Sequence, residues 1–184
     1  NLTLVDFDKV DITNINRQII ATHSSVGKDK VEVAKQRVLE INKEAKVDCI
    51  KEFFMQESKE ILDSSVDYVI DAVDTITAKI EIIKRAKKLN IPVISCMGTG
   101  NKLEPNKFEI TDIYKTSVCP LSKIMRKKMR ENNITSLKVL YSKEEPKKII
   151  NYQENEKRKS TRLKRQAQVW YGRQDCLCGR RPWL

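Results

Sequence analysis

The sequence predicts an α/β fold built on a doubly wound, mostly parallel sheet. Three observations carry this prediction: short β-branched runs alternate with stretches of helical period, polar or Gly/Pro punctuation bounds each run, and the alternation repeats at least four times. The opening run LTLV stops at Asp6-Phe7-Asp8, as a buried parallel strand does when it enters a polar loop. Ser24 and Ser25 then offer capping hydroxyls, and Val31, Ala34, Val38 and Ile41 recur at helical spacing over 30–42. A strand over 47–53, a short helix over 58–62 and a strand over 68–72 come next. The following helix, over 77–89 through Ile80, Ile83 and Ala86, ends at Asn90, and Pro92 introduces the strand 93–96. Beyond Gly98-Thr99-Gly100 the pattern continues as a strand over 108–113, a basic helix over 121–131 and a strand over 137–141.

At 184 residues, 40% hydrophobic and 33% charged, the chain suits one sizeable core. No stretch approaches the roughly 20 apolar residues of a membrane-spanning helix, and the first residues lack the basic-then-apolar order of a secretory signal. Net charge is +11, unevenly placed: residues 153–184 hold nine Lys and Arg against three acids. Such an excess favours a phosphate-rich partner, although a solvated lysine surface accounts for it equally well. Five cysteines without framework spacing point to a reducing compartment, the cytoplasm, and one C-x-C with a single His23 does not suffice for a structural zinc site.

On a doubly wound sheet, ligands bind beyond the C-terminal ends of the strands. The segment DFDKVDITNINRQ places Asp6 at such an end and Asn14, Arg17 and Gln18 at a loop-to-helix junction. A strand-end carboxylate accepts from ribose hydroxyls, and an arginine fork matches phosphate oxygens. Gly27-Lys28-Asp29-Lys30 then opens a helix whose amides and lysine add positive potential for a second phosphate. In Asp71-Ala72-Val73-Asp74-Thr75, Asp74 suits a magnesium ion bridging phosphates, and it also suits an N-cap for the next helix. Taken singly, each of these residues is more often a cap or a surface ion pair than a ligand contact.

In combination, LTLVDFD, NINRQ, Gly27-x-x-Lys30 and DAVDT resemble, in order and spacing, the ATP-dependent adenylating enzymes related to ubiquitin activation. The resemblance covers about residues 1–150 and implies a Rossmann-like fold. It also implies that Asp6 binds ribose, that Asn14, Arg17 and Lys30 contact the nucleotide phosphates, that Gln18 belongs to the same nucleotide-binding motif, and that Asp74 coordinates Mg2+. The stretch CMGTGNKLEPNKFEITDIYKTSVCPL is similar to the tRNA threonylcarbamoyladenosine dehydratases, which lack zinc-binding cysteine pairs, as this chain does. That likeness implies adenylation by ATP of the carboxylate of the modified adenosine in tRNA, then ring closure. It makes Arg17, Lys30 and Asp74 the catalytic residues and implies a homodimer and a sulfur-relay protein as partners. Cys119, before Pro120 and a basic helix, is a candidate acyl or sulfur acceptor; packing is its other reading. The charged face of the helix Lys123–Arg130 is a candidate grip for tRNA backbone, or a solvated surface.

Two departures from the family shape the remaining expectations. The Gly-rich turn that precedes the Asp6 strand in relatives is missing, which points to an N-terminally truncated domain and to weak ATP binding by these 184 residues alone. Residues 151–184 succeed the adenylating domain as a basic tail, disordered or non-native, whose Arg, Trp and Cys without period resemble a shifted reading frame. A basic RNA-binding tail with stacking Trp170, Tyr171 and Trp183 is the alternative. Three other functions stay open on sequence: activation of a ubiquitin-like sulfur carrier, a NAD-dependent dehydrogenase, and a non-enzymatic RNA-binding fragment. The leading reading requires Asp6, Arg17, Lys30 and Asp74 to serve one triphosphate.

Overall fold

The computed structural model describes residues 1–55, 58, 61–100 and 102–145, so the tail and its Trp170, Tyr171 and Trp183 lie outside the described residues. The chain forms two compact units, Asn1–Met55 and Gln56–Leu184, and each is described by itself. The architecture is α/β with parallel pairing in both, as the alternating pattern predicts.

The first unit is a β-α-β element. Strand β1 (Leu2–Val5) pairs in parallel with β2 (Val47–Ile50), Leu2 opposite Val47 and Val5 opposite Ile50. Parallel neighbours need a long crossover, and helix α1 (Lys30–Ile41) supplies it. Val31 is buried on its inner side, where its carbonyl accepts from the Cys49 thiol at 3.4 Å. Ile41, expected on the same stripe, is exposed, because at 3.6 residues per turn it lies well round the helix from Val31. Strand β2 stops at Ile50, three residues short of the predicted end; Phe53 stacks edge-on against Phe7, ring centroids 5.1 Å apart.

The predicted serine cap of α1 is a correction. Asp29 holds the N-cap position and makes no side-chain cap bond, whereas the Ser25 hydroxyl donates within the preceding loop, to the carbonyls of Ile20 at 2.9 Å and Thr22 at 3.0 Å. Gly27 closes that loop with φ of +84°, and its N–H donates to the Val10 carbonyl at 2.8 Å. An L side chain there incurs a left-handed penalty even though the space is open. Gly27→Ala is therefore expected to lower stability by about 1–2 kcal/mol in urea denaturation.

In the second unit, four strands lie in the order β3-β4-β6-β5. Strands β3 (Val69–Asp71), β4 (Val93–Cys96) and β6 (Lys138–Ser142) run parallel, and β5 (Phe108–Asp112) is antiparallel to β6. Helix α2 (Ile76–Lys88) links β3 to β4, and α3 (Pro120–Glu131) lies between β5 and β6 in the chain. Both helices end in the same way. Asn90 and Asn133 take positive φ, 57° and 56°, and the N–H of the next residue, Ile91 or Ile134, donates back to the carbonyl of Ala86 or Met129. This closing turn satisfies the last carbonyls and tucks a buried isoleucine under the helix end. The core is formed by Ile83, Ala86, Leu121, Met125, Leu137 and Val139, all at 2% exposure or less.

Three details depart from expectation. Ile61 and Leu62 form a bend, not a helix; residues 59–60 of that prediction lie outside the described residues. The inner face of α3 is Leu121, Met125 and Met129, while Ile124, about 100° round from Met125, is exposed. Lys79 is buried within the apolar stripe of α2, beside Ile82, Ile83 and Ala86. Among the described residues no helix is long and apolar enough to cross a membrane.

Candidate functional site

In the first unit the polar loop after β1 is organised around two aspartates. Asp6 N–H still donates to the Ile50 carbonyl at 3.2 Å, extending the strand pairing by one residue. Its carboxylate then accepts the Asp8 N–H at 2.8 Å, which turns the chain. Asp8 takes both ends of Lys30: its carbonyl accepts the Lys30 N–H at 3.0 Å, and its carboxylate pairs with the Lys30 ammonium at 2.7 Å. The start of α1 is thus tied to the loop that carries Asp6. Lys30 is largely buried and Asp8 about half exposed, so the ammonium keeps donors for a further anion. Asp8 is a site residue that the sequence reading misses, although the repeated acid of DFD is a signal for it.

Asn14 is buried and acts structurally. Asp11 caps the 3-10 turn Ile12–Asn14, accepting from Thr13 N–H, and Asn14 returns a bond by accepting Asp11 N–H at 3.0 Å. Those Thr13 bonds hold the Asp11 carboxyl below its ordinary pKa. The Asn14 carbonyl accepts the N–H groups of both Arg17 and Gln18, which fixes where these two side chains start. Arg17 is exposed and steadied through one terminal nitrogen, to Thr13 carbonyl at 2.6 Å and Asn16 at 3.0 Å. Gln18 is half buried, and its side-chain oxygen is shielded from solvent without a hydrogen-bond partner. Such an oxygen is costly unless a donor reaches it.

In the second unit, Asp74 lies exposed on the loop after β3. Thr75, not Asp74, occupies the N-cap of α2, so the capping role does not fall to Asp74. What shapes the loop is Asp71, the last residue of β3, whose carboxylate accepts the Val73 N–H at 3.1 Å. Asp71 is itself gripped by the Lys79 ammonium, 3.1 Å from each oxygen, and by the Ser95 hydroxyl at 2.5 Å. All three are at 1% exposure or less. Sequence reading misses this cluster; a lysine in an otherwise apolar helical stripe is its signal.

The loop after β4 is pinned by Glu144, two residues past the end of β6. Buried Glu144 accepts the N–H groups of Leu103 and Glu104, each at 2.9 Å, and Lys102 donates to its carbonyl. Burial holds the Lys102 ammonium below its ordinary pKa, with Cys119 and the acids Glu144 and Glu145 opposing. Cys119 is buried at the N-cap of α3, its sulfur accepting the Ser122 N–H at 3.5 Å. The charge of Cys119 acts on Lys102, whereas Lys115 and Lys123 are exposed. Burial also pushes the Cys96 thiol up.

On α3, Lys123, Lys127 and Arg130 stand on one exposed stripe, Arg130 resting over the Tyr114 ring at 5.3 Å. Arg126, partly buried, bonds to Thr116, and Lys128 pairs with Glu131.

Comparison with known proteins gives this geometry a family. The ThiF family model matches residues 1–156. The chain belongs to the ThiF family. It is 46% identical over 147 residues to the tRNA threonylcarbamoyladenosine dehydratase of Bacillus subtilis, an alignment covering 79% of this chain and 58% of that protein. The E. coli tRNA N6-threonylcarbamoyladenosine dehydratase superposes on it in complex with AMP (TM-score 0.76, 28% identity, 81% of this chain and 64% of that one) and in complex with ATP (TM-score 0.70, 29% identity, 78% and 63%). The chain spans about half the length of the curated relatives it matches. The Rossmann-like architecture expected from the motifs is the one these neighbours share.

Proposed function

We propose that this ThiF-family chain acts in the ATP-dependent cyclisation of threonylcarbamoyladenosine in tRNA. The observation that carries the reading is the first loop, where Asp6 at the end of β1 and Lys30 at the start of α1 are held in one hydrogen-bonded turn by Asp8. The 46% identity to a dehydratase of that substrate supports the choice of reaction.

The donor set fits a nucleoside triphosphate. Asp6 is suited to the ribose hydroxyls, the free edge of the Arg17 fork and the remaining donors of Lys30 to phosphate oxygens, and Asn14 to holding the turn from which Arg17 and Gln18 project. The shielded Gln18 oxygen suits a donor on the ligand. Mg2+ keeps most of its waters and takes one or two carboxylates together with phosphates, and the exposed carboxylate of Asp74, on the loop after β3, would be such a ligand. When bound, ATP supplies the adenylate that makes a carboxylate oxygen a leaving group. Arg17 and Lys30 would neutralise negative charge on the phosphates as it shifts. No protein nucleophile is required, so Cys119 is assigned to packing at the helix cap. A homodimer, a cytoplasmic setting and a sulfur-relay partner belong to the same proposal.

Nucleoside mass spectrometry of tRNA from a strain deleted for the gene tests the reading. The cyclic nucleoside is expected to disappear, the open form to accumulate, and the intact gene to restore the first. An unchanged cyclic level in the deletion strain contradicts it.

For tRNA itself the proposed grip is the exposed stripe of α3. Residues 113–133 carry six Lys or Arg against one acid, Glu131. Changing Lys123, Lys127 and Arg130 together to Gln is expected to weaken tRNA binding and to flatten the slope of log affinity against log salt by about 2–3, for three lost phosphate contacts. An unchanged slope assigns the stripe to solvent.

A further inference from the structure

The nucleotide chemistry makes no use of the buried Lys79–Asp71–Ser95 cluster. A buried ion pair is a poor way to stabilise a sheet, since apolar side chains of similar volume do as well or better. Its geometry offers something apolar packing does not. The two Lys79 contacts, 3.1 Å to each oxygen, and the Ser95 hydroxyl on the neighbouring strand fix the Asp71 carboxylate from two sides. Ser95 is the register partner of Asp71, so the hydroxyl is carried to the carboxylate by the pairing of β3 with β4. So oriented, Asp71 accepts the Val73 N–H at 3.1 Å and turns the chain immediately after β3. Asp74 is the next residue. Helix α2 contributes from the other end, because Lys79 N–H donates to Thr75 carbonyl at 3.0 Å while its ammonium reaches back to β3.

We infer that Lys79, Asp71 and Ser95 are positioning residues that set the Asp74 loop for magnesium-bound nucleotide. This inference rests on the proposed assignment of Asp74 and extends it to groups that never touch the ligand. A loop carrying one hard oxygen ligand is useful only if that ligand is held within a fraction of an ångström, and buried polar anchors on rigid strands and a helix do this better than side chains on the loop itself.

The test is a double-mutant cycle on ATP affinity, measured by calorimetry with the protein as its gene encodes it, once with Mg2+ and once with EDTA. The ratio of the two affinities is the gain due to the metal. Asp74→Asn is expected to abolish that gain. Ser95→Ala, which removes one hydroxyl, and Lys79→Arg, which keeps the charge, are each expected to cut it at least fivefold while leaving the affinity in EDTA unchanged. In the Asp74→Asn background neither should have any further effect. Equal losses in both backgrounds, or an intact metal gain in Ser95→Ala, overturn the inference and leave the cluster a packing device. An intact gain in Asp74→Asn removes Asp74 as the ligand and takes the inference with it, whatever the anchors do. Ser95→Ala is the mildest change of the set, so the cycle can be completed on it alone if a Lys79 variant fails to fold.

Discussion

Lys79→Met is expected to destabilise the protein by about 3–5 kcal/mol, the largest single effect among the charged residues, because it leaves the Asp71 carboxylate buried without its cation. Equilibrium urea denaturation measures this. The companion variant decides the cause. Removing both charges, in Lys79→Met with Asp71→Asn, should recover more than half of the loss, since the penalty lies in the uncompensated charge and not in lost packing. If the double variant is as unstable as the single one, the aliphatic stem of Lys79 matters more than its charge. Surface pairs give the contrast. Lys128–Glu131 and Lys107–Glu104, both about 43% exposed, should contribute less than about 1 kcal/mol each.

The second large effect falls on chemistry and leaves the fold intact. Arg17→Ala and Lys30→Met are each expected to lower kcat for the cyclisation by about 100- to 1,000-fold, the usual range for removing one preorganised donor from a developing negative charge. Stability should barely move. Arg17 is exposed, and the partner that Lys30 would leave, Asp8, is about half solvated. Arg17→Lys is informative beside Arg17→Ala, because a lysine keeps the charge but not the planar fork. Recovery by lysine would mean that charge suffices; failure to recover would mean that paired donors are needed. A steady-state assay with modified tRNA, run alongside a urea curve for each variant, separates the two contributions.

Much of this is legible in the residues. Strand ends at Val5 and Cys96 and the helix stop at Asn90 stem from β-branched runs, Pro92 and an asparagine that tolerates positive φ, all of which act locally. The order of DFD, NINRQ and Gly27-x-x-Lys30 is likewise local, and it picks out the residues of the first loop. What is not legible depends on partners distant in the chain. Asp8 reads as one more surface acid until Lys30, 22 positions later, is seen to close on it. Lys79 reads as an ordinary helical lysine until Asp71 and Ser95 arrive on adjacent strands, a juxtaposition set by strand register. The motif gives Asn14 to phosphate, and the local capping box shows the work its side chain already does. The antiparallel placement of β5 also escapes the pattern, since a run such as Phe108–Asp112 carries no mark of direction.

The central claim is that this chain activates a carboxylate by adenylation, and the nucleotide product tests it most directly. With ATP labelled at the α-phosphate and tRNA carrying the open nucleoside, the account predicts one AMP released for each cyclic nucleoside formed, with none formed when tRNA is omitted. Release of ADP in place of AMP, or cyclisation without nucleotide turnover, would contradict it.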